Sequence, residues 1–112
     1  MAGKKIDAKK IARDYARNVA KDIVIDGVML FGSSAFGKMT PQSDIDVIIL
    51  SRDFSKMPFM KRLQFLNKMR QGSALRVPMD ILGLTPKEFG GFKNSESPNL
   101  RGIYRDAREI LR

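Results

Sequence analysis

The stretch LFGSSAFGKMTPQSDIDVIILS, residues 30–51, places a glycine-serine turn between two apolar runs, and two aspartates stand at the head of the second run. Apart from Asp46, residues 45–50 are all apolar, which is typical of a strand covered on both faces. Because side chains alternate along a strand, Asp44 and Asp46 are expected on the same face, about 7 Å apart. Two anions this close are costly to hold together unless a cation compensates them.

A third carboxylate, Asp80, lies inside another apolar run, RVPMDILGL at residues 76–84. A lone carboxylate in such a strand needs a partner. If the two strands are neighbours, Asp80 converges with Asp44 and Asp46 on a site for two magnesium ions, with water and substrate phosphates as further ligands. The alternatives are structural: Asp44 caps a turn, Asp46 pairs with a lysine, and Asp80 pairs with Arg76.

The amino-acid composition excludes several kinds of functional site. The chain has no cysteine and no histidine, which excludes disulfides, thiolate zinc sites and Ser-His-Asp triads. A metal must therefore be held by oxygen ligands, which favours magnesium, manganese or calcium. The net charge is +9 and the pI is about 10.2, a balance that attracts nucleic acid, nucleotides or an acidic protein, although solubility explains it equally well.

The chain of 112 residues fits one domain, 1–112, and its 43% hydrophobic content is enough for a core. No apolar run approaches the roughly 20 residues that a membrane helix needs. The basic N-terminus is not followed by the apolar core of a signal peptide, so a cytoplasmic location is expected.

The hydrophobic spacing predicts the order helix, strand, short helix, strand, helix, strand, helix, which is an α/β fold with a small sheet. The predicted helices and helical turns cover residues 6–23, 34–38, 58–72 and 99–111, with the last few residues alternatively extended. The predicted strands cover residues 28–31, 44–51 and 77–84, a capping box starts a helix at 85–88, and a polar loop covers 90–98.

The first predicted helix carries three columns at a spacing of four. One is apolar, one is alanine, and the third, roughly opposite, is basic, with Lys9, Arg13, Arg17 and Lys21. The basic column could bind an acidic partner or RNA, but a solvated helix face is the simpler interpretation.

The glycine-serine turn is a candidate phosphate site. Gly32 allows the backbone to approach a ligand closely. Ser33 and Ser34 offer hydroxyl and N–H groups at a predicted helix N-terminus, which suits either an anion or a plain helix cap. Gly37 allows a second bend, and Lys38 either reaches a phosphate or is solvated.

In combination, GSSAFGKMTPQSDIDVII at residues 32–49 and a carboxylate in a third strand resemble the nucleotidyltransferase superfamily that includes DNA polymerase beta, poly(A) polymerases and kanamycin nucleotidyltransferase. The likeness is strongest to the minimal nucleotidyltransferase family, whose signature is a Gly-Ser turn, Ala, Gly and then Ser-Asp-Ile-Asp. It extends from the first helix through Asp80. It implies a small mixed β-sheet flanked by helices, the nucleotidyltransferase (polymerase beta palm-like) fold.

The resemblance also implies residue roles. Asp44 and Asp46 would bind two Mg²⁺ ions, or Mn²⁺, and Asp80 would bind the catalytic ion and help to deprotonate the incoming hydroxyl. The acceptor oxygen would attack the α-phosphorus of a nucleoside triphosphate, with ATP expected, and pyrophosphate would leave. The implied nucleotide-binding residues are Gly32, Ser33, Ser34, Lys38 and Ser43.

Minimal nucleotidyltransferases resemble the antitoxin half of toxin–antitoxin pairs with a HEPN-type ribonuclease, which implies AMP transfer to a tyrosine of the toxin. Phe36 stands where the family pattern usually has arginine, so a weakly catalytic or non-catalytic antitoxin stays open. Transfer to a small hydroxylated molecule, such as an aminoglycoside, stays open too.

No second domain is predicted, so a HEPN-type partner or a second copy of the chain is expected to complete the site. We expect that chain to cover exposed apolar residues on the C-terminal segment, namely Ile103, Tyr104 and Ile110.

Overall fold

The computed structural model describes residues 7–36 and 44–111. The strands are β1 (Gly27–Phe31), β2 (Ile45–Leu50), β3 (Met79–Leu84) and β4 (Arg108–Glu109). The α-helices are α1 (Ala8–Val19), α2 (Phe59–Lys68), α3 (Ser73–Arg76), α4 (Pro86–Gly91) and α5 (Pro98–Asp106). Short 3₁₀ turns cover Gly32–Phe36, Arg52–Lys56 and Phe92–Asn94. None of the helices in these ranges is both long and apolar enough to cross a membrane.

The strands form one mixed sheet in the order β3-β2-β1-β4. β2 runs antiparallel to β1 and parallel to β3, and β1 runs antiparallel to β4. This confirms the predicted α/β class with a small mixed sheet. The α2 and α3 segment makes the crossover between the parallel strands β2 and β3, so both strands begin at the same edge of the sheet.

β2 is covered on both faces, as its apolar run predicts. Ile45, Val47 and Ile49 belong to a large core with α1 and α2. Ile48 and Leu50 belong to a second core with residues of α4 and α5. Because alternate residues enter different cores, one strand holds both layers of helices onto the sheet.

α1 is buried along parts of its alanine and apolar columns, and the small alanine side chains let the helix lie close to the sheet, whereas Ala20 is exposed. Ala12 and Ala16 are buried, and the Tyr15 hydroxyl donates a hydrogen bond to the Leu66 carbonyl at 2.5 Å. The basic column is not wholly solvated, because Arg13 Nε donates to the Ile110 carbonyl at 2.8 Å.

The C-terminal segment follows the extended alternative for its last residues, and its helix is shorter than the predicted range 99–111. α5 ends at Asp106, and the chain then adds β4 to the edge of β1, where the Ile110 N–H donates to the Val28 carbonyl at 2.9 Å. Ile110 is only 3% exposed, and Ile103 and Tyr104 pack against the second core. The prediction of an exposed apolar surface is therefore wrong for Ile110, which strand pairing covers, whereas Ile103 and Tyr104 are half-buried.

Two further elements end at other residues than predicted. The helix predicted over 58–72 ends at Lys68, and a separate turn of helix follows Gly72, which has a φ of +57°. The polar loop predicted over 90–98 is largely helical through Asn94. The capping box is confirmed: the Glu88 N–H donates to Thr85 Oγ1 at 3.1 Å, and the Thr85 N–H donates to Glu88 Oε1 at 2.8 Å.

Candidate active site

Two of the predicted site residues are direct neighbours across the parallel strands. Asp46 of β2 is the register partner of Asp80 of β3. Register partners on adjacent strands project from the same face, so the two carboxylates stand side by side at the start of both strands. Asp80 is exposed and Asp46 is half-buried. Both line one cleft with a volume of about 680 Å³.

Asp44 lies just before β2 and is exposed. It is two residues from Asp46, but it does not line the cleft. Across residues 7–36 and 44–111, no three acidic side chains are arranged as a complete metal site. The paired residues Asp46 and Asp80 therefore form the centre of the arrangement, with Asp44 as a neighbouring charge.

The pair is electrostatically unfavourable as it stands. Burial, followed by the charges of Asp80 and Asp44, raises the pKa of Asp46 from 3.8 to about 6. Within the described ranges, no lysine or arginine forms an ion pair with Asp46 or Asp80, so neither the lysine partner nor the Arg76 partner considered for them is found. A carboxylate pair of this kind, facing an open cleft, favours binding of a cation from solution.

The turn after β1 is shaped by Gly32, whose φ is +61°. A Cβ on Gly32 would lie 2.5 Å from Asp46 Oδ2, well inside van der Waals contact. Only glycine can therefore hold this conformation and leave room for the carboxylate. The sequence predicted that Gly32 lets the backbone approach a ligand closely, and in the structure the group that lies against Gly32 is the Asp46 carboxylate.

Ser34 has a structural role beside the same carboxylate. It is 3% exposed, its hydroxyl donates to the Phe31 carbonyl at 2.7 Å, and the Asp46 N–H donates to the hydroxyl oxygen at 3.2 Å. These bonds join the end of β1 to the start of β2 and position Asp46. The backbone of Ser33 lies in the 3₁₀ turn, whereas Lys38 and Ser43 lie outside the described residues.

Helix α5 supplies much of the cleft wall, which the sequence did not indicate. The residues lining the cleft are Phe31, Gly32, Asp46, Asp80, Leu82, Pro98, Asn99, Gly102, Ile103, Arg105 and Asp106. The apolar spacing predicted a helix over residues 99–111, but the direction of that helix depends on how Ile103 and Tyr104 pack against the second core. α5 is therefore an element of this chain that borders the site.

Solved structures with a similar fold include a protein of Sulfolobus solfataricus provisionally assigned as a nucleotidyltransferase. It is 21% identical, with a TM-score of 0.63, and the match covers 97% of this chain and 90% of that one. A toxin–antitoxin structure with AMP-PNP is 18% identical, with a TM-score of 0.57, covering 88% of this chain and 71% of that one. BolA1 from Arabidopsis thaliana is 16% identical, with a TM-score of 0.53, covering 70% of this chain and 94% of that one.

At these identities the likenesses show the fold alone, and a fold does not by itself define an activity. None of the curated proteins compared with the chain matches it. The sequence model of the nucleotidyltransferase domain family matches residues 9–107, which include β1, the Gly32 turn, β2, β3 and α5. The chain therefore belongs to the nucleotidyltransferase domain family, as the resemblance to minimal nucleotidyltransferases predicted.

Proposed function

We propose that the chain is a magnesium-dependent enzyme that transfers AMP from ATP to a hydroxyl group. The observation that carries the proposal is the pair of carboxylates, Asp46 and Asp80, in one cleft beside the Gly32 turn. Carboxylates on neighbouring strands are hard oxygen donors held on a rigid sheet, and they suit Mg²⁺. Family membership supports a nucleotide as the substrate.

The acidic residues hold the ions in this proposal. Asp46 and Asp80 would hold them together with Asp44, which lies two residues from Asp46. The ions, when bound, supply positive charge that offsets the charge of the phosphates. The Asp80 carboxylate accepts the proton of the acceptor hydroxyl.

The turn holds the triphosphate. The backbone amides of Gly32 and Ser33 would donate to phosphate oxygens, with Lys38 and Ser43 as further contacts. Ser34 takes no direct part, since its hydroxyl positions Asp46. The acceptor oxygen bonds to the α-phosphorus while the bond from that phosphorus to the oxygen bridging the β-phosphorus breaks, and pyrophosphate leaves. Orientation of the reactants and electrostatics account for most of the acceleration.

We propose a tyrosine hydroxyl of a HEPN-type toxin as the acceptor, which makes the chain an antitoxin. This is supported by the fold likeness to a toxin–antitoxin structure with AMP-PNP. We also propose a cytoplasmic location for the chain, since ATP is the proposed donor of AMP. Where the toxin is absent, a second copy of the chain would occupy its place.

Incubation with Mg²⁺ and ATP labelled at the α-phosphorus tests the proposal. The acceptor is the protein encoded by the adjacent gene. We expect label on that protein from α-labelled but not γ-labelled ATP, because AMP rather than phosphate is transferred. Asp46→Asn and Asp80→Asn should each reduce the rate at least about 100-fold, since loss of a metal ligand removes several kcal/mol of transition-state stabilisation.

Asp22→Asn is the matched control, because Asp22 is exposed, follows the end of α1 and lines a different pocket from Asp46 and Asp80. It should retain the rate of the unmodified chain. ATP with Mg²⁺ should also raise the melting temperature of the chain and of Asp22→Asn, but not that of the Asp46→Asn and Asp80→Asn double variant. Equal rates in all variants, or no binding of ATP by the unmodified chain, would contradict the proposal.

A further inference from the structure

The cleft has an acidic part and a second part formed by α5. Asp46 and Asp80 belong to the strands, whereas Asn99, Gly102 and Arg105 come from α5. Asp46 and Asp80 would repel the triphosphate unless metal ions separate them from it. The phosphate oxygens that the metal ions do not reach need a different source of positive charge.

Arg105 is the only basic residue among the described residues that line the cleft. Its side chain is 75% exposed, so its guanidinium is accessible to a ligand. A Cβ on Gly102 would lie 3.6 Å from Nη2 of Arg105. The guanidinium therefore lies back along the helix next to Gly102, which is itself part of the cleft wall.

The present partner of Arg105 is easily exchanged. Nε and Nη2 donate to the two carboxylate oxygens of Asp106 at 3.1 and 3.3 Å. The side chains of Arg105 and Asp106 are 75% and 40% exposed, and ion pairs in such positions contribute little because water and salt screen them. A phosphate group carries more charge than a carboxylate and accepts the same forked pair of N–H donors.

We propose that Arg105 is a nucleotide-binding residue, whose guanidinium leaves Asp106 and binds phosphate oxygens of the nucleoside triphosphate. The inference rests on the proposed function and adds a residue of α5 to it. α5 thereby takes part in binding the substrate as well as bordering the cleft. The two parallel N–H donors of the guanidinium contribute to phosphate binding, so a lysine at position 105 would restore only part of the affinity.

The test measures the dissociation constant of ATP with Mg²⁺ for Arg105→Ala, Arg105→Lys and a matched control, Arg101→Ala. Arg101 is on the same helix, and its replacement by alanine removes the same charge. Arg101 does not line the cleft, and its Nη1 donates to the Ser95 carbonyl at 2.6 Å. We expect Arg105→Ala to raise the dissociation constant about tenfold, Arg105→Lys about threefold, and Arg101→Ala less than twofold.

A transfer assay should show the same order in KM for ATP, with kcat changed less than KM. The idea is overturned if Arg105→Ala binds ATP like Arg101→Ala while Asp46→Asn loses binding, and the proposed function then survives. It is overturned together with the proposed function if the unmodified chain does not bind ATP. Melting temperatures of the three variants should equal that of the unmodified chain, because Arg105 and Arg101 are exposed.

Discussion

The two ends of the parallel strand pair β2 and β3 differ in whether their charged side chains are paired. At the start of the strands, Asp46 and Asp80 stand together, and no described cation pairs with them. Beyond the other end, the buried Arg62 meets Glu88 at 2.6 Å and also donates to the carbonyls of Met57 and Gly83. One end therefore stabilises the fold with charges that the chain neutralises itself. The other end leaves carboxylates available for a ligand.

The largest effect on stability is expected at the neutralised end. Arg62→Ala removes the ion pair, the bonds to the Met57 and Gly83 carbonyls, and the contact of the guanidinium with the Phe54 ring at 5.7 Å. We expect the free energy of unfolding to fall by about 3 kcal/mol in urea denaturation, because the carbonyls and Glu88 lose their partner.

The matched control for Arg62→Ala is Arg52→Ala. Arg52 also forms an ion pair, with Asp26 at 2.7 Å, but its side chain is 70% exposed. That variant should lose less than about 1 kcal/mol, as exposed pairs do. Similar losses for both variants would show that burial gives the Arg62 network no special importance.

A smaller effect on stability, coupled to function, is expected at the acidic end. Gly32→Ala places a Cβ 2.5 Å from Asp46 Oδ2 and forces a positive φ on alanine. We expect a loss of about 2 kcal/mol in the free energy of unfolding and a loss of ATP binding, because the Asp46 carboxylate must move. Urea denaturation and titration with ATP and Mg²⁺ measure the two effects.

Gly72→Ala separates backbone strain from the displaced carboxylate. Gly72 also has a positive φ, +57°, but, its two chain neighbours aside, no atom of the described residues lies within 4 Å of its Cβ position. It should lose about 1 kcal/mol of stability and keep ATP binding. If Gly72→Ala weakens ATP binding as much as Gly32→Ala, the closeness of Gly32 to Asp46 has no functional meaning.

The smallest effect is a difference in pH dependence between the two ends without metal. The pKa of Asp46 is raised to about 6, so its ionised form destabilises the folded chain at pH 7.5 and is relieved as the pH falls through 6. Relative to Asp46→Asn, we expect the free energy of unfolding to rise by about 1 kcal/mol from pH 7.5 to 5 in EDTA. The full shift corresponds to about 3 kcal/mol, of which about half is released by pH 5, because the relief is complete only below the ordinary pKa of 3.8. Solvent screening reduces the change further.

Glu88 is the control for this prediction. Its hydrogen bond from Arg62 lowers its pKa below the ordinary value of 4.5, so its contribution is present above 4.5 and is lost only as the pH falls through the lowered pKa. The difference between the unmodified chain and Glu88→Gln should therefore stay constant from pH 7.5 to 5. A constant difference for Asp46→Asn as well would refute the proposed repulsion in the acidic pair.

Local sequence patterns determined the elements that depend on near neighbours. The apolar run of β2 predicted a strand with two covered faces, and the Thr85 and Glu88 pattern predicted the capping box, since both depend on contacts within a few residues or on burial alone. The turn and the Asp-x-Asp spacing were sufficient to predict the family, because that chemistry needs those residues at fixed separations along the chain.

Only the tertiary structure decided which distant residues meet. The register that places Asp46 beside Asp80 depends on the crossover between β2 and β3, and the short strand β4 exists because β1 offers it an edge. Helical periodicity continued through Ile110, but hydrogen bonding to Val28 was available only in the folded chain. α5 reaches the cleft for the same reason: its packing on the second core sets its direction, and no local pattern encodes the surface against which a helix packs.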